Sequence, residues 1–412
     1  MQAQTDRKDS ESGQAEKYTA NMIKVSSMHF PRSLWILFAG VFLNRFGSFV
    51  SVFLVLYMTA RGYTAAQAGI APAAYGIGSL AASFCGGYLA DWPGRRATIV
   101  LSMFSSAATM LALSQAQTLP LILILAGLAG MTAELYRPAA SALIADLVPA
   151  EQQVVAFAWY RFAINLGFAV GPTVAGLLAS RSFLLIFLGD ALTSCAFGLL
   201  ALFALPGYRH PAMTQNRERD GLWRTLRYDY RYLLFLPASA LLAFVYFQHL
   251  STFALQVQAY GLSNTIYGLL ISVNGICIIF LELPLSSITR RLPTRPVIAF
   301  GWLLIAVGFS LIAIAHTLAL LILTVIIWTL GEMVHSPVSA AYVANMAPAH
   351  LRGRYQGIWG LTWGCGLVLA PLLGSLLFSW SAMGLWLLCG ALGLLAALLV
   401  LPDGRLPASR NV

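Results

Sequence analysis

Of the ionisable side chains inside long apolar stretches, six stand at nearly one depth: Arg45, Glu134, Arg137, Arg161, Glu332 and His335. A charge at the centre of a lipid layer costs about 2.5–3.5 kcal/mol even by the mildest scales, so such residues pair with one another or line a wet cavity. Glu134 with Arg137, and Glu332 with His335, are spaced i, i+3, which puts each pair on one helical face. A carboxyl that can either pair with an arginine or take up a proton is a two-state element, and Glu134 beside Arg137 is the leading candidate of this kind. His335, an imidazole that ordinarily titrates near neutrality, makes Glu332 and His335 the second candidate site. The chemistry on offer is proton uptake and exchange of ion-pair partners. The sequence shows no catalytic triad, phosphate-binding glycine loop or metal-ligand spacing, so neither enzyme activity, nor a cofactor, nor a metal is expected. Cys85, Cys195, Cys277, Cys365 and Cys389 all fall in apolar stretches and read as packing residues.

The elements that must hold these groups follow from composition. The chain is 59% hydrophobic and 10% charged, too little charge for an ordinary soluble surface. Stretches long enough to cross a hydrocarbon layer, ~20 residues each, occur at 33–60, 65–90, 97–115, 119–147, 152–180, 182–205, 232–258, 264–289, 296–315, 317–346, 354–380 and 382–402. The expected fold is an all-α membrane protein of twelve spans, six in each half. Arg45, Glu134, Arg137 and Arg161 then lie roughly 9 to 13 residues from the same end of their helices, one layer a few ångströms thick at ~1.5 Å per residue. Glu332 and His335 on the tenth span face that layer from the other half. Asn44, Tyr136, Asn165, Gln256 and Trp359 join Arg45 and Arg161 as candidates for lining a substrate cavity, in surroundings rich in aromatic residues. Glu282 is expected to meet Arg290 or Arg291, and Asp190 falls away from the layer.

Residues 206–231 open with Pro206-Gly207, carry six arginines, and read as a linker between the halves. Residues 1–31 read as a disordered tail without a removable signal, 32–205 and 232–402 as the two six-helix halves, and 403–412 as a second tail. Of the 25 Lys and Arg, only Arg61 and Arg181 fall between spans on the side away from the linker. The bias places linker and both termini in the cytoplasm, in an inner-membrane protein. It also accounts for the net charge of +10 without nucleic acid.

Small residues recur at an offset of 199. Gly62, Gly69, Gly76 and Gly167 fall on Gly261, Gly268, Gly275 and Gly366, and Pro138, Pro149 and Pro172 on Pro337, Pro348 and Pro371. Two copies of one membrane unit are implied, with a natural site at their interface.

Two segments carry a family resemblance. The run Gly86-Gly87-Tyr88-Leu89-Ala90-Asp91-Trp92-Pro93-Gly94-Arg95-Arg96 between spans two and three resembles the G-x-L-A-D-R-x-G-R-R/K loop of the major facilitator superfamily, with Trp92 in place of an arginine. Gly167, Gly171, Pro172 and Gly176 on span five resemble the G-x-x-x-G-P-x-x-G-G motif of that superfamily's antiporters, with Ala175 replacing a glycine. The resemblance implies a twelve-helix transporter similar to the drug/proton antiporters, moving a small amphipathic solute outward by alternating access and driven by a proton gradient. It also implies a conformational latch in which Gly87, Asp91, Gly94, Arg95 and Arg96 take part, Asp91 docking near Arg352 and Gly353 at the start of span eleven. Two departures matter: Arg290 occupies the Asp91 position in the second copy, and Leu121 to Met131 lacks the arginine these antiporters often carry on helix four. Expected partners are a small solute, protons and lipid, with no nucleic acid and no obligate protein. The alternatives are a transporter dedicated to one metabolite such as a siderophore, peptide or amino acid, an anionic or zwitterionic one suiting the arginine excess, and a non-transporting receptor.

Overall fold

The computed structural model describes residues 30–401 apart from 92, 208–228, 290 and 349–350. Almost all of the expected tails and linker lie outside the described residues. Lipid offers no partner to a backbone N–H or C=O, so spanning segments must satisfy their hydrogen bonds internally, and all twelve are helices. They are α1 (Arg32–Ala60), α2 (Ala65–Gly86), α3 (Arg95–Gln115), α4 (Leu119–Leu147), α5 (Val155–Arg181), α6 (Phe183–Ala204), α7 (Tyr230–Leu250), α8 (Asn264–Thr289), α9 (Thr294–Ile314), α10 (Leu318–Met346), α11 (Arg354–Trp380) and α12 (Ala382–Val400). Twelve crossings put both ends of the bundle on the face that carries the α6–α7 connection, here the linker face.

On the opposite, far face the turns are short and capped by hydroxyls. Ser182 accepts from the Leu184 N–H, Thr317 from Leu320 and Ser381 from Gly384, each filling an orphan donor at a helix start. Gly62 and Gly261 hold φ of +86° and +71°, the left-handed turn that glycine adopts without a steric penalty, at equivalent places in the two halves.

The 199-residue repeat is visible in three dimensions. α1 is broken between Phe46 and Phe49, and α7, at the corresponding place, passes into the 3-10 turn Phe247–Leu250 before running on as Thr252–Ala259. A Cβ built on Gly69 would come within 2.1 Å of the Pro371 carbonyl oxygen, and one on Gly268 within 2.1 Å of the Pro172 carbonyl oxygen. These are the same contact made twice, α2 on α11 and α8 on α5. Thr59 Oγ1 donates to Gln258 Oε1 across the two halves at 3.1 Å, joining two positions related by that same offset.

All these crossings lie toward the far face, where Tyr267 also donates to the Val52 carbonyl, and Thr173 Oγ1 and Ser272 Oγ lie 2.7 Å apart. One buried apolar cluster runs through both halves there, including Phe53, Phe187, Phe253 and Tyr267. On the linker side the first half keeps a separate cluster around Leu34, Ile99, Leu143 and Phe197. Gly357 and Gly360, on the linker side of α11, have open space where a Cβ would stand. The close crossings between the halves thus gather toward the far face, while on the linker side α5 and α8 meet through Arg161 and Glu282 and two positions of α11 face open space.

Candidate functional site

The first half assembles a three-charge cluster across α1 and α4. Arg45 leaves α1 just before its break and grips Glu134 on α4 with both terminal nitrogens, Nη1 to Oε1 at 2.9 Å and Nη2 to Oε2 at 3.0 Å. Arg137, one turn on, adds Nη1 to Oε2 at 3.1 Å. The bidentate fork fixes the carboxylate plane, a geometry a lysine could not supply. Gly167 and Gly171 on α5 make room for it: a Cβ on Gly167 would meet the Cβ of Arg45 at 2.7 Å, and one on Gly171 the Phe46 carbonyl at 2.5 Å. The helix-five glycines thus admit α1, while Gly176 and Pro172 admit α8.

The second half is built differently. Glu332 on α10 accepts from Tyr246 Oη at 2.9 Å and from Asn274 Nδ2 at 2.9 Å, and no described residue forms an ion pair with it. His335 does not join it. Its ring is buried against Trp302 of α9 and Trp363 of α11, with Nδ1 3.3 Å from Ser339 Oγ. The i, i+3 spacing left room for a Glu332–His335 pair, but the close α9–α10 approach at Gly301 and Gly331 draws the imidazole away.

Between the halves, Arg161 on α5 donates from Nη2 to Glu282 Oε1 on α8 at 2.5 Å, and Asn165 Nδ2 lies 3.4 Å from Glu282 Oε2. This corrects two expectations. Arg161 is not part of the Glu134 cluster, and Glu282 reaches across the interface instead of back to Arg290 or Arg291. The pair borders a cavity of about 410 Å³ walled by Trp159, Phe162, Ile278, Ile279 and Leu283. Trp159 and Phe162 meet edge to face at 5.6 Å and are both exposed.

Three candidates for the cavity wall prove to be packing residues. Asn44 is buried and donates to Met103 Sδ at 3.6 Å. Tyr136 is buried edge-on against Phe197 of α6. Gln256 accepts from Trp386 Nε1 of α12 at 2.7 Å, far from the linker-side cavity. Depth along a helix was legible for all three, but the direction each side chain faces was not. Trp359 is half-buried and donates to Ser239 Oγ at 2.8 Å. Of the loop residues, Arg95 pairs with Asp146 at 3.2 Å, Arg96 donates to the Leu202 carbonyl, and Gly94 precedes α3 with φ +94°. Gly87, Asp91, Arg352 and Gly353 lie in helical backbone, but the side chains of Asp91 and Arg352, on which the expected latch rests, lie outside what the structure describes. Asn274 was missed, although an amide in mid-span is itself a signal of a polar partner.

Comparison with known proteins places this architecture. A family model described as Major Facilitator Superfamily matches residues 37–263 and again 250–412. The chain is 26% identical over 350 residues, 83% of its length and 85% of the relative's, to an uncharacterized MFS-type transporter, YqjV, of Bacillus subtilis. It is 24% identical over 384 residues, 83% of its length and 88% of the relative's, to a Na(+), Li(+), K(+)/H(+) antiporter of Planococcus maritimus. Among solved structures, a POT family transporter in complex with a thioalcohol conjugated peptide superposes with TM-score 0.78 at 16% identity, covering 90% of this chain and 96% of that one.

Proposed function

The chain belongs to the Major Facilitator Superfamily, and on that premise we propose that it is a proton-coupled secondary transporter that exports small amphipathic organic compounds by alternating access across the cytoplasmic membrane. The linker face is the cytoplasmic one, as the distribution of basic residues argues. The observation that carries the reading is the Arg161–Glu282 pair, set between the halves beside a cavity with aromatic walls toward the linker ends of α5 and α8. Such a cavity, mostly apolar with a few converging polar groups, suits a compound with one polar end.

Glu332 suits the proton carrier's role better than Glu134. Glu134 is held by two arginines, whereas Glu332 meets only a hydroxyl and an amide. A buried carboxylate without a cation is far cheaper neutral than charged. The Asn274 amide has a donor and an acceptor, so by turning over it can serve either form of the acid. Proton exchange on Glu332 would then bias which face is open, because the two forms hold α7, α8 and α10 together differently.

Proteoliposomes with an imposed pH difference test the reading. Loaded with a panel of amphipathic dyes and labelled metabolites, they should expel at least one against its gradient and move protons the opposite way. Dissipating the pH difference should stop this. Movement of Na(+) or K(+) in exchange for protons with no organic solute carried would overturn the proposal, as would expulsion indifferent to the pH difference.

A further inference from the structure

In two ion pairs the arginine is far more exposed than the carboxylate it holds. The side chain of Arg161 is 57% exposed while that of its partner Glu282 is 19% exposed, and Arg137 is 55% exposed against 11% for Glu134 and 14% for Arg45. Glu282 is recessed further by the Asn165 amide on its second oxygen. Arg161 has only its Nη2 committed among the described residues, so most of a guanidinium with five N–H donors stays open beside Trp159 and Phe162. In both of these pairs the side chain more open to a solute is the positive one. A lipophilic cation entering here would meet guanidinium before carboxylate.

Resting on the transporter reading above and narrowing it, we propose that the cavity takes amphipathic organic acids, with Arg161 as the anion receptor and Glu282 as an internal surrogate for the substrate's acid group. In the empty site Glu282 occupies Arg161. An incoming carboxylate takes its place on the guanidinium, and its ring or chain lies against Trp159, Phe162 and Ile278. Arg suits this exchange because its planar fork accepts one carboxylate as readily as another. The device keeps the arginine neutralised when no substrate is bound. It also couples arrival of substrate to loss of an ion pair between the halves on the cytoplasmic side. No covalent step is involved.

Binding to the purified full-length protein in nanodiscs, with no ion gradient, tests this separately from export. Calorimetric titrations would compare three probes of one size: naphthoate, neutral naphthamide and cationic naphthylmethylammonium. Naphthoate should bind about 10-fold more tightly than the other two, the scale of one charge-assisted contact. Arg161→Ala should erase that preference. Glu282→Gln decides between the possible signs: it should tighten naphthoate several-fold by freeing Arg161, whereas a site for cations would lose its ligand. Equal or tighter binding of the ammonium, weakened naphthoate binding in Glu282→Gln, or no naphthoate binding at millimolar concentration overturns the proposal. A protein that binds naphthoate with this pattern yet expels nothing in proteoliposomes would sink the export reading and leave the acid site standing.

Discussion

Glu134 and Glu332 carry the same functional group among different neighbours, two arginines around the first and a hydroxyl and an amide on the second. Removing the charge of Glu134 by Glu134→Gln strands two arginines around an amide, and breaking a buried pair from one side costs about 3–5 kcal/mol. A marked fall in the unfolding temperature of the purified variant is expected, with poor recovery from membranes. Glu332→Gln keeps a side chain of the same shape between Tyr246 and Asn274 and should cost about 1 kcal/mol. It should fold, bind substrate, and lose uphill movement driven by pH. Thermal unfolding and the proteoliposome assay, run on both variants, check the division of roles. If Glu134→Gln is stable and loses coupling while Glu332→Gln transports normally, the assignment is reversed. Sequence spacing singled out both acids because a charge in an apolar span is conspicuous. It could not rank them, because their decisive partners, Arg45 and Asn274, sit 89 and 58 residues away.

At the level of helices, the far-face closure depends on backbone touching backbone. Gly268→Ala places a methyl group 2.1 Å from the Pro172 carbonyl, and Gly69→Ala does the same at Pro371. Overpacking of this kind costs about 1–3 kcal/mol, which shifts a two-state equilibrium roughly 5- to 150-fold. Either variant should favour the state open on the far face, read as faster labelling of Thr59→Cys by an external thiol reagent. Gly357→Ala, where a Cβ meets nothing within 4 Å, serves as the comparison and should leave labelling unchanged. Equal labelling in all three proteins would show that these crossings do not limit opening. The 199-residue recurrence makes these glycines legible in the sequence, since close approach is a demand on residue type. Which helix each one meets is not legible there, because the recurrence relates copies and says nothing of partners.

For the molecule as a whole, helix number and span limits could be read from hydropathy because lipid imposes one length and one way of satisfying the backbone. The seventh span is the departure: it ends in a 3-10 turn at Leu250, and a short helix carries the chain on to Ala259. That the crossings gather toward the far face was illegible, since residue spacing names no partners. Orientation remains a matter for labelling. A cysteine at Ser114 or Ser381 should react with an impermeant reagent in intact cells, and one at Gln215 should react only after permeabilisation. Labelling of Gln215→Cys from outside would invert the molecule and every statement about which face the cavity serves.

The paired crossings also set an order of assembly on the ribosome. The face of α5 that receives α8 and the face of α2 that receives α11 are both made with the first half, but their partners emerge roughly 100 residues apart, or about 5–20 s at ordinary elongation rates. During that interval one seam should be shut while its twin still borders lipid, which would leave the nascent bundle lopsided although the finished one repeats the contact in both halves. Chains stalled after α10 should therefore form a disulfide between cysteines at Ser180 and Thr265, whose hydroxyls lie 3.0 Å apart, while a cysteine on the waiting face of α2 stays open to a membrane-permeant thiol reagent. If that cysteine is already shielded in the stalled chain, the first half has found a substitute partner, and completing the bundle requires displacing it.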